Sequence, residues 1–164
     1  MSHGKILHAC LLIGVLAAAC GGDNYVKAPS AKPPKKMHSM TEAIVNAPFI
    51  VEARNFKPFK IVVTPEMLNA RLEGTFSATG ARNDIEVTLL TEAEFAKWQN
   101  RRAFEATFVS GRVTSGRIGV ALPAAPGTYF VVFSNRFSIF SNKAVTADVQ
   151  LRYDSTNRKS RTTN

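Results

Sequence analysis

Hydrophobic and polar residues alternate with a period of two through residues 49–153. Phe59, Ile61 and Val63 alternate with Lys60 and Val62. Leu68, Ala70, Leu72, Gly74, Phe76 and Ala78 are interleaved with Asn69, Arg71, Glu73, Thr75 and Ser77. Ile85, Val87 and Leu89 alternate with Asp84, Glu86 and Thr88, and Phe104, Ala106 and Phe108 with Glu105 and Thr107. Ile118, Val120 and Leu122 form another set, as do Tyr129, Val131 and Phe133. The cleanest is Val145, Ala147, Val149, Leu151 and Tyr153 against Thr146, Asp148, Gln150 and Arg152. Successive side chains on a strand point to opposite faces, so each segment has one dry face and one wet face. Turn-forming residues fall between the segments at Thr64-Pro65, Gly80–Asn83, Ser110-Gly111, Pro126-Gly127 and Ser141-Asn142. Seven or eight short antiparallel strands of this kind bury their apolar faces by closing two sheets over a common core. The pattern therefore predicts an all-β fold, an antiparallel β-sandwich.

One segment breaks the alternation. Thr91 and Glu94 have the spacing of a capping box, and Phe95 and Trp98 sit one helical turn apart. A short helix over residues 92–100 is predicted, laid on the sandwich. Its two aromatic rings either plug an open end of a sheet or form a lid over a ligand, which makes Trp98 a candidate binding residue. Ser39 and Glu42 have the same box spacing and suggest a helical turn before Pro48.

The two ends of the chain differ from its middle. Ile6–Ala19 carries no charge, follows Lys5, and is shorter than the about 20 apolar residues that span a bilayer, which suits a signal-peptide core. The run closes with Ala17-Ala18-Ala19 and then Cys20-Gly21-Gly22. This resembles the bacterial lipobox, with Ala17 where that motif has a larger aliphatic residue. The resemblance implies cleavage after residue 19, acylation (palmitate among the chains) of Cys20, and attachment to a membrane outside the cytoplasm. Gly21, not Asp, follows the cysteine, which implies the outer membrane if the source is a two-membrane bacterium. An ordinary secreted protein cut after the same alanines is the alternative. Residues 20–47, with Pro29, Pro33, Pro34, Lys27, Lys32, Lys35 and Lys36, read as a flexible basic linker. Residues 154–164 lack aliphatic and aromatic side chains and read as a frayed basic tail. The domain is thus expected over 48–153.

Composition narrows the chemistry. The chain has 164 residues with 21 Lys and Arg against 12 Asp and Glu, a net charge of +9. Its three histidines (His3, His8, His38) and two cysteines (Cys10, Cys20) all lie within the first 38 residues. The expected domain holds neither type, which argues against Ser-His-Asp and Cys-His catalysis, His- or Cys-bound zinc, haem ligation and disulfides there. The carboxylate pair Asp84/Glu86 reads as a wet strand face and Glu92/Glu94 as part of a helix cap. No acidic loop has calcium-ligand spacing. No cofactor is therefore expected, and an enzyme built from Asp, Glu, Lys, Ser or Tyr alone, such as a two-carboxylate glycosidase, is the minor reading. The basic residues Arg101, Arg102, Arg112 and Arg117 suggest a rim for anionic envelope polymers or lipid headgroups, with a solvated surface as the plain alternative. No nucleic-acid recognition module is visible, and nucleic acid is not an expected partner.

Residues 126–153 read PGTYFVVFSNRFSIFSNKAVTADVQLRY. Gly127 and Tyr129, then Phe133, Asn135, Phe137, Ser138, Phe140, Ser141, Lys143 and Val145, followed by an alternating strand, resemble the closing half of the GOLD (Golgi dynamics) domain. Leu68–Phe76, the Gly80 turn and Asp84–Val87 are similar to its middle. The resemblance implies a jelly-roll-like, GOLD-type sandwich that binds proteins or lipid-associated partners. The cargo receptors of that family have a cysteine in the strand before the Asn, which Phe130–Phe133 lacks, and a coiled coil and cytoplasmic coat-binding tail that do not occur here. It therefore bears on fold, not on vesicle traffic. Phe133, Phe137 and Phe140 are expected to fill the core where the chain bends. Lys143 is expected to lay its stem over an aromatic ring with its ammonium in water. Asn135 is expected to satisfy turn amides; alternatively Asn135, Arg136 and Lys143 line a binding rim. The combined expectation is a lipid-anchored, extracytoplasmic, non-catalytic module for an envelope protein or ligand. A structural envelope lipoprotein held by charge to anionic polymer is the rival.

Overall fold

A computed structural model of the protein describes residues 35–156. Nine strands and one helix follow in order: β1 (His38–Val45), β2 (Phe49–Val51), β3 (Phe56–Val63), β4 (Leu68–Thr79), β5 (Ile85–Thr91), α1 (Glu92–Gln99), β6 (Phe108–Val113), β7 (Ser115–Ala121), β8 (Gly127–Ser134) and β9 (Lys143–Ser155). One sheet has the order β1-β9-β4-β7, with β2 also on β9; the other has the order β3-β8-β5-β6. Every pairing is antiparallel. The all-β sandwich predicted from alternation is the fold observed.

The core lies where the alternating positions said it would. In β9, Lys143, Val145, Ala147, Val149, Leu151 and Tyr153 are buried and the residues between them are not. Phe133 sits at the centre, edge-on to Phe49, Phe59 and Phe76 with ring centroids 5.1, 5.9 and 6.0 Å away. Such edge-to-face pairs contribute about 0.5–1.5 kcal/mol each beyond the area they bury.

β8 shows why its centre is apolar without interruption. Tyr129, Val131 and Phe133 face the core, while Phe130 and Val132 face the other way, into a second cluster with Leu90, Phe95 and Trp98. A central strand covered on both faces loses its wet side. Helix α1 supplies that second cover. Thr91 caps it, its hydroxyl accepting from the Glu94 amide at 3.3 Å. The Glu94 carboxylate does not complete the box; it accepts from the Glu105 amide at 2.8 Å and pairs with Lys97 at 2.6 Å. The aromatic pair of α1 therefore covers a sheet face, not a sheet end.

Several boundaries differ from expectation. The linker expected over 20–47 gives way to β1, because Met40, Ile44 and Val45 pack toward the core while the backbone pairs with β9 from His38↔Ser155 to Val45↔Val149. Extended pairing, not a helical turn, takes up Ser39–Glu42. The tail expected from 154 begins later, since Asp154 and Ser155 still belong to β9. Leu68 is exposed because a bulge between Leu68 and Arg71, with Asn69 at φ 53°, slips the register. Phe104–Phe108 is not a strand: β6 starts only at Phe108, and Phe104 is exposed. The signal segment 1–19 and Cys20 lie outside the described residues.

Candidate functional site

The strands run between two opposite ends of the sandwich. β9 starts at Lys143 at one end and pairs through Ser155 with His38 at the other, about 40 Å away for a strand of this length. At the Lys143 end gather the β2–β3 turn (52–55), the β4–β5 turn (80–84) and the β8–β9 loop (135–142).

Asn135 ties these together. Its buried side-chain amide donates to the carbonyls of Val51, Glu52 and Ser141 at 3.3, 3.1 and 2.8 Å. Its backbone N–H donates to the Asn55 carbonyl at 2.9 Å, and its own carbonyl accepts from Arg54 and Ser138. The Arg54 amide also donates to the Ser138 carbonyl, and Ala53 donates to the Asn142 side chain at 3.0 Å. Ser138 Oγ accepts from the Ser141 amide and donates to its carbonyl. Asn135 Oδ1 is buried without a hydrogen-bond partner among the described residues. So the expected architectural role of Asn135 is seen, with carbonyls as its side-chain partners in place of amides.

The loop that this network shapes carries Ile139 and Phe140 outward. Phe140 is 92% exposed and Ile139 54%. The expectation that Phe140 fills the core is therefore corrected: the turn formed by Ser138 and Ser141 points it to solvent, while Phe133 alone of the three rings reaches the centre and Phe137 is half-buried beneath Arg112, whose guanidinium lies 4.3 Å from the ring.

Beside the loop is a pocket of about 310 Å³ lined by Arg82, Asp84, Arg112, Phe137, Ile139, Phe140 and Lys143, among others. Gly80 makes its floor feasible. Its φ of 122° and the Asn142 carbonyl, which a Cβ would meet at 2.5 Å, leave no place for a side chain. Arg82 and Asn83 follow at φ 64° and 50°, and this left-handed pair turns the Ala81 carbonyl inward. Lys143 Nζ donates to that carbonyl and to Asp84 Oδ1 at 2.6 Å. The Lys143 side chain is 1% exposed, so its ammonium is not in water as expected; the carboxylate and carbonyl replace the hydration it loses. The hydrogen bond from Lys143 holds the Asp84 carboxyl below the usual aspartate range, against the smaller opposing effect of burial. Among the described residues neither Arg82 nor Arg112 has a carboxylate within ion-pair distance.

A second cation–aromatic cluster lies where the C-terminus of α1 meets β8. Arg136 stacks 4.2 Å from the Trp98 ring and 4.8 Å from Phe56, and donates to the Trp98 and Gln99 carbonyls at 3.0 and 3.1 Å. Burial, then the Arg101 charge, lowers the Arg136 guanidinium from its ordinary range, although an arginine stays charged at any ordinary pH. Trp98 is 8% exposed and its ring is already covered, so it packs as a plug and forms no lid. Arg101 and Arg102 lie in the turn that ends α1, exposed. Arg117 is exposed on β7, in the other sheet, over a polar groove with Glu73, Thr75, Asp148, Gln150 and Arg152. There Glu73 is already paired with both Arg71 and Arg152. The four arginines proposed as a single rim therefore occupy three separate places.

Of the candidates, the structure brings Arg112 and Lys143 together on one pocket, with Asn135 behind it. It adds Arg82, Asp84, Ile139 and Phe140, which the sequence reading did not single out as exposed or charged partners. Phe137-Ser-Ile139-Phe140-Ser, apolar residues inside a Ser- and Asn-rich turn, is the signal for the last two. No group of His, Cys, Asp and Glu among the described residues comes together to hold a metal ion, and no helix there is long and apolar enough to cross a membrane.

No family model matches the chain, and no curated protein matches it. What it does has to be argued from the site.

Proposed function

We propose that the protein is a lipid-anchored, extracytoplasmic binding module. Cys20 carries the lipid, a GOLD-type sandwich forms the body, and the Phe140 loop makes the contact with a protein or ligand of the cell envelope. The observation that carries the reading is Phe140 itself. A ring 92% exposed on a loop fixed by the Asn135 and Ser138 hydrogen bonds costs solvation and contributes nothing to the core. An exposed aromatic on a hydrogen-bonded loop, beside arginines with no carboxylate in ion-pair distance, has the composition of an interface anchor, because little backbone entropy is lost when it is buried. The uncharged Ile6–Ala19 run before Cys20-Gly21 supports export and anchoring. Against the expectation of a domain free of histidine, the sandwich holds His38 at the start of β1; it holds no other histidine and no cysteine among the described residues, which supports binding over catalysis.

His38, where the chain joins the sandwich, lies at the end opposite the loop. Affinity capture from detergent-solubilised envelope tests the reading with four proteins: wild type, Cys20→Ala, Phe140→Ser and the Arg101→Ala/Arg102→Ala pair. A salt-resistant partner held by wild type, Cys20→Ala and the arginine pair but lost with Phe140→Ser is expected. Salt-sensitive retention on isolated envelope polymer, unaffected by Phe140→Ser, would overturn it in favour of a structural lipoprotein held by charge.

A further inference from the structure

We infer that the pocket beside Phe140 takes a carboxylate carried next to an apolar side chain, on an acidic and apolar segment of a partner protein. This rests on the binding-module reading and specifies its ligand. The charges within the pocket are unequal. Lys143 and Asp84 neutralise each other at 2.6 Å. Arg82 and Arg112 are left over, two guanidinium groups with no carboxylate in ion-pair distance among the described residues. A guanidinium presents parallel N–H donors that match the two oxygens of a carboxylate. The Ile139 and Phe140 amides, on the same wall, donate to no protein acceptor among the described residues and add two neutral donors. The apolar half of the ligand is met by Phe137, Ile139 and Phe140.

The shape of the site favours a peptide over an anionic membrane. The cavity is concave, and about 310 Å³ holds a few side chains, near the lower limit for ligand pockets. Asp84 keeps its negative charge inside the pocket, since its carboxyl is held below the usual range. It therefore penalises a doubly charged phosphate monoester more than a singly charged group, be that a carboxylate or a lipid phosphodiester.

The probes are a blocked tetrapeptide with an aspartate between two leucines, its asparagine twin, and vesicles containing phosphatidylglycerol. Binding is read at low salt from amide NMR shifts in the full domain. The aspartate peptide is expected to move the Arg82, Arg112, Ile139 and Phe140 resonances and to bind about tenfold more tightly than the asparagine twin, as a charge-assisted pair at a half-exposed site gives. Arg82→Ala and Arg112→Ala each remove most of that difference, while Phe140→Ser weakens both peptides. All three positions are exposed, and unchanged melting curves confirm that the variants fold. Equal binding of the two peptides at the loop, abolished by Phe140→Ser, overturns the carboxylate inference and leaves the module reading standing. Vesicle binding lost with Phe140→Ser, with no peptide binding, overturns the peptide in favour of a membrane. Shifts confined to residues away from the loop overturn both readings.

Discussion

Two clusters in this sandwich are made of the same materials and are finished differently. At the C-terminus of α1, Arg136 lies over Trp98 and Phe56, its donors are used by helix carbonyls, and the rings are buried. At the 135–142 loop, Arg112 lies over Phe137 and acts on Asp84 by charge without an ion pair to it, and the adjacent Phe140 stands in solvent. The first cluster is closed: its rings pack on one another, and Arg136 donates to two helix carbonyls. The second is open on one side although its backbone is held at Asn135, Ser138 and Ser141. Aromatic rings and arginines are therefore not evidence of a site by themselves. What distinguishes the loop is that its backbone is held by Asn135 and Ser138 while Ile139 and Phe140 stand in solvent.

That contrast predicts a graded set of stability changes. Trp98→Ala empties the cover over β8 and is expected to cost about 3–5 kcal/mol in urea unfolding. A loss below about 1 kcal/mol would mean that α1 is a loose lid after all. Asp84→Ala comes next, at about 3 kcal/mol, because it strands the ammonium of Lys143 in a buried position. Lys143→Met removes the charge with its partner's need and should cost clearly less, since Asp84 retains contact with water. The same pair sets a pH dependence. Asp84 titrates below its ordinary value when folded, so its contribution is complete above about pH 4 and is lost as pH falls through the lowered value. The wild type should lose stability in that acid range by more than Asp84→Ala does, as read from urea midpoints at stepped pH. Arg136→Met removes two bonds to helix carbonyls and the stacked charge but keeps an apolar stem, for about 1 kcal/mol. Smallest of all, Phe140→Ser should lie within about 0.5 kcal/mol of wild type in thermal and urea melts. A large loss there would make Phe140 a structural residue and close the open cluster.

The parts of this molecule legible in the sequence were those fixed by local pattern. Alternation in β9 and the Thr91 cap of α1 needed no knowledge of distant residues. Strand β1 was hidden because Met40, Ile44 and Val45 become a core edge only when β9 is beside them. Leu68 was misplaced because a bulge inverts the faces without leaving a mark in the alternation. The site was legible in part. Lys143 and Arg112 stood out by type, but the ion pair that buries Lys143 joins positions 59 apart, and only the fold brings Asp84 to it. Phe140 was read as core because a phenylalanine usually is. Its exposure depends on Ser138 and Ser141 closing a turn under it, a geometry that side-chain polarity does not encode.

The claim on which the account turns is that the loop is rigid before anything binds. Amide hydrogen exchange at Arg54, Asn135 and Ser138, in the wild type and in Phe140→Ser, tests it most directly, since their N–H groups donate to Ser138, Asn55 and Asn135 carbonyls respectively. The account predicts slow exchange at all three in both proteins, because the exposed ring takes no part in holding the loop. Exchange at the rate of an unstructured chain in the wild type, or protection that disappears with Phe140, would contradict it.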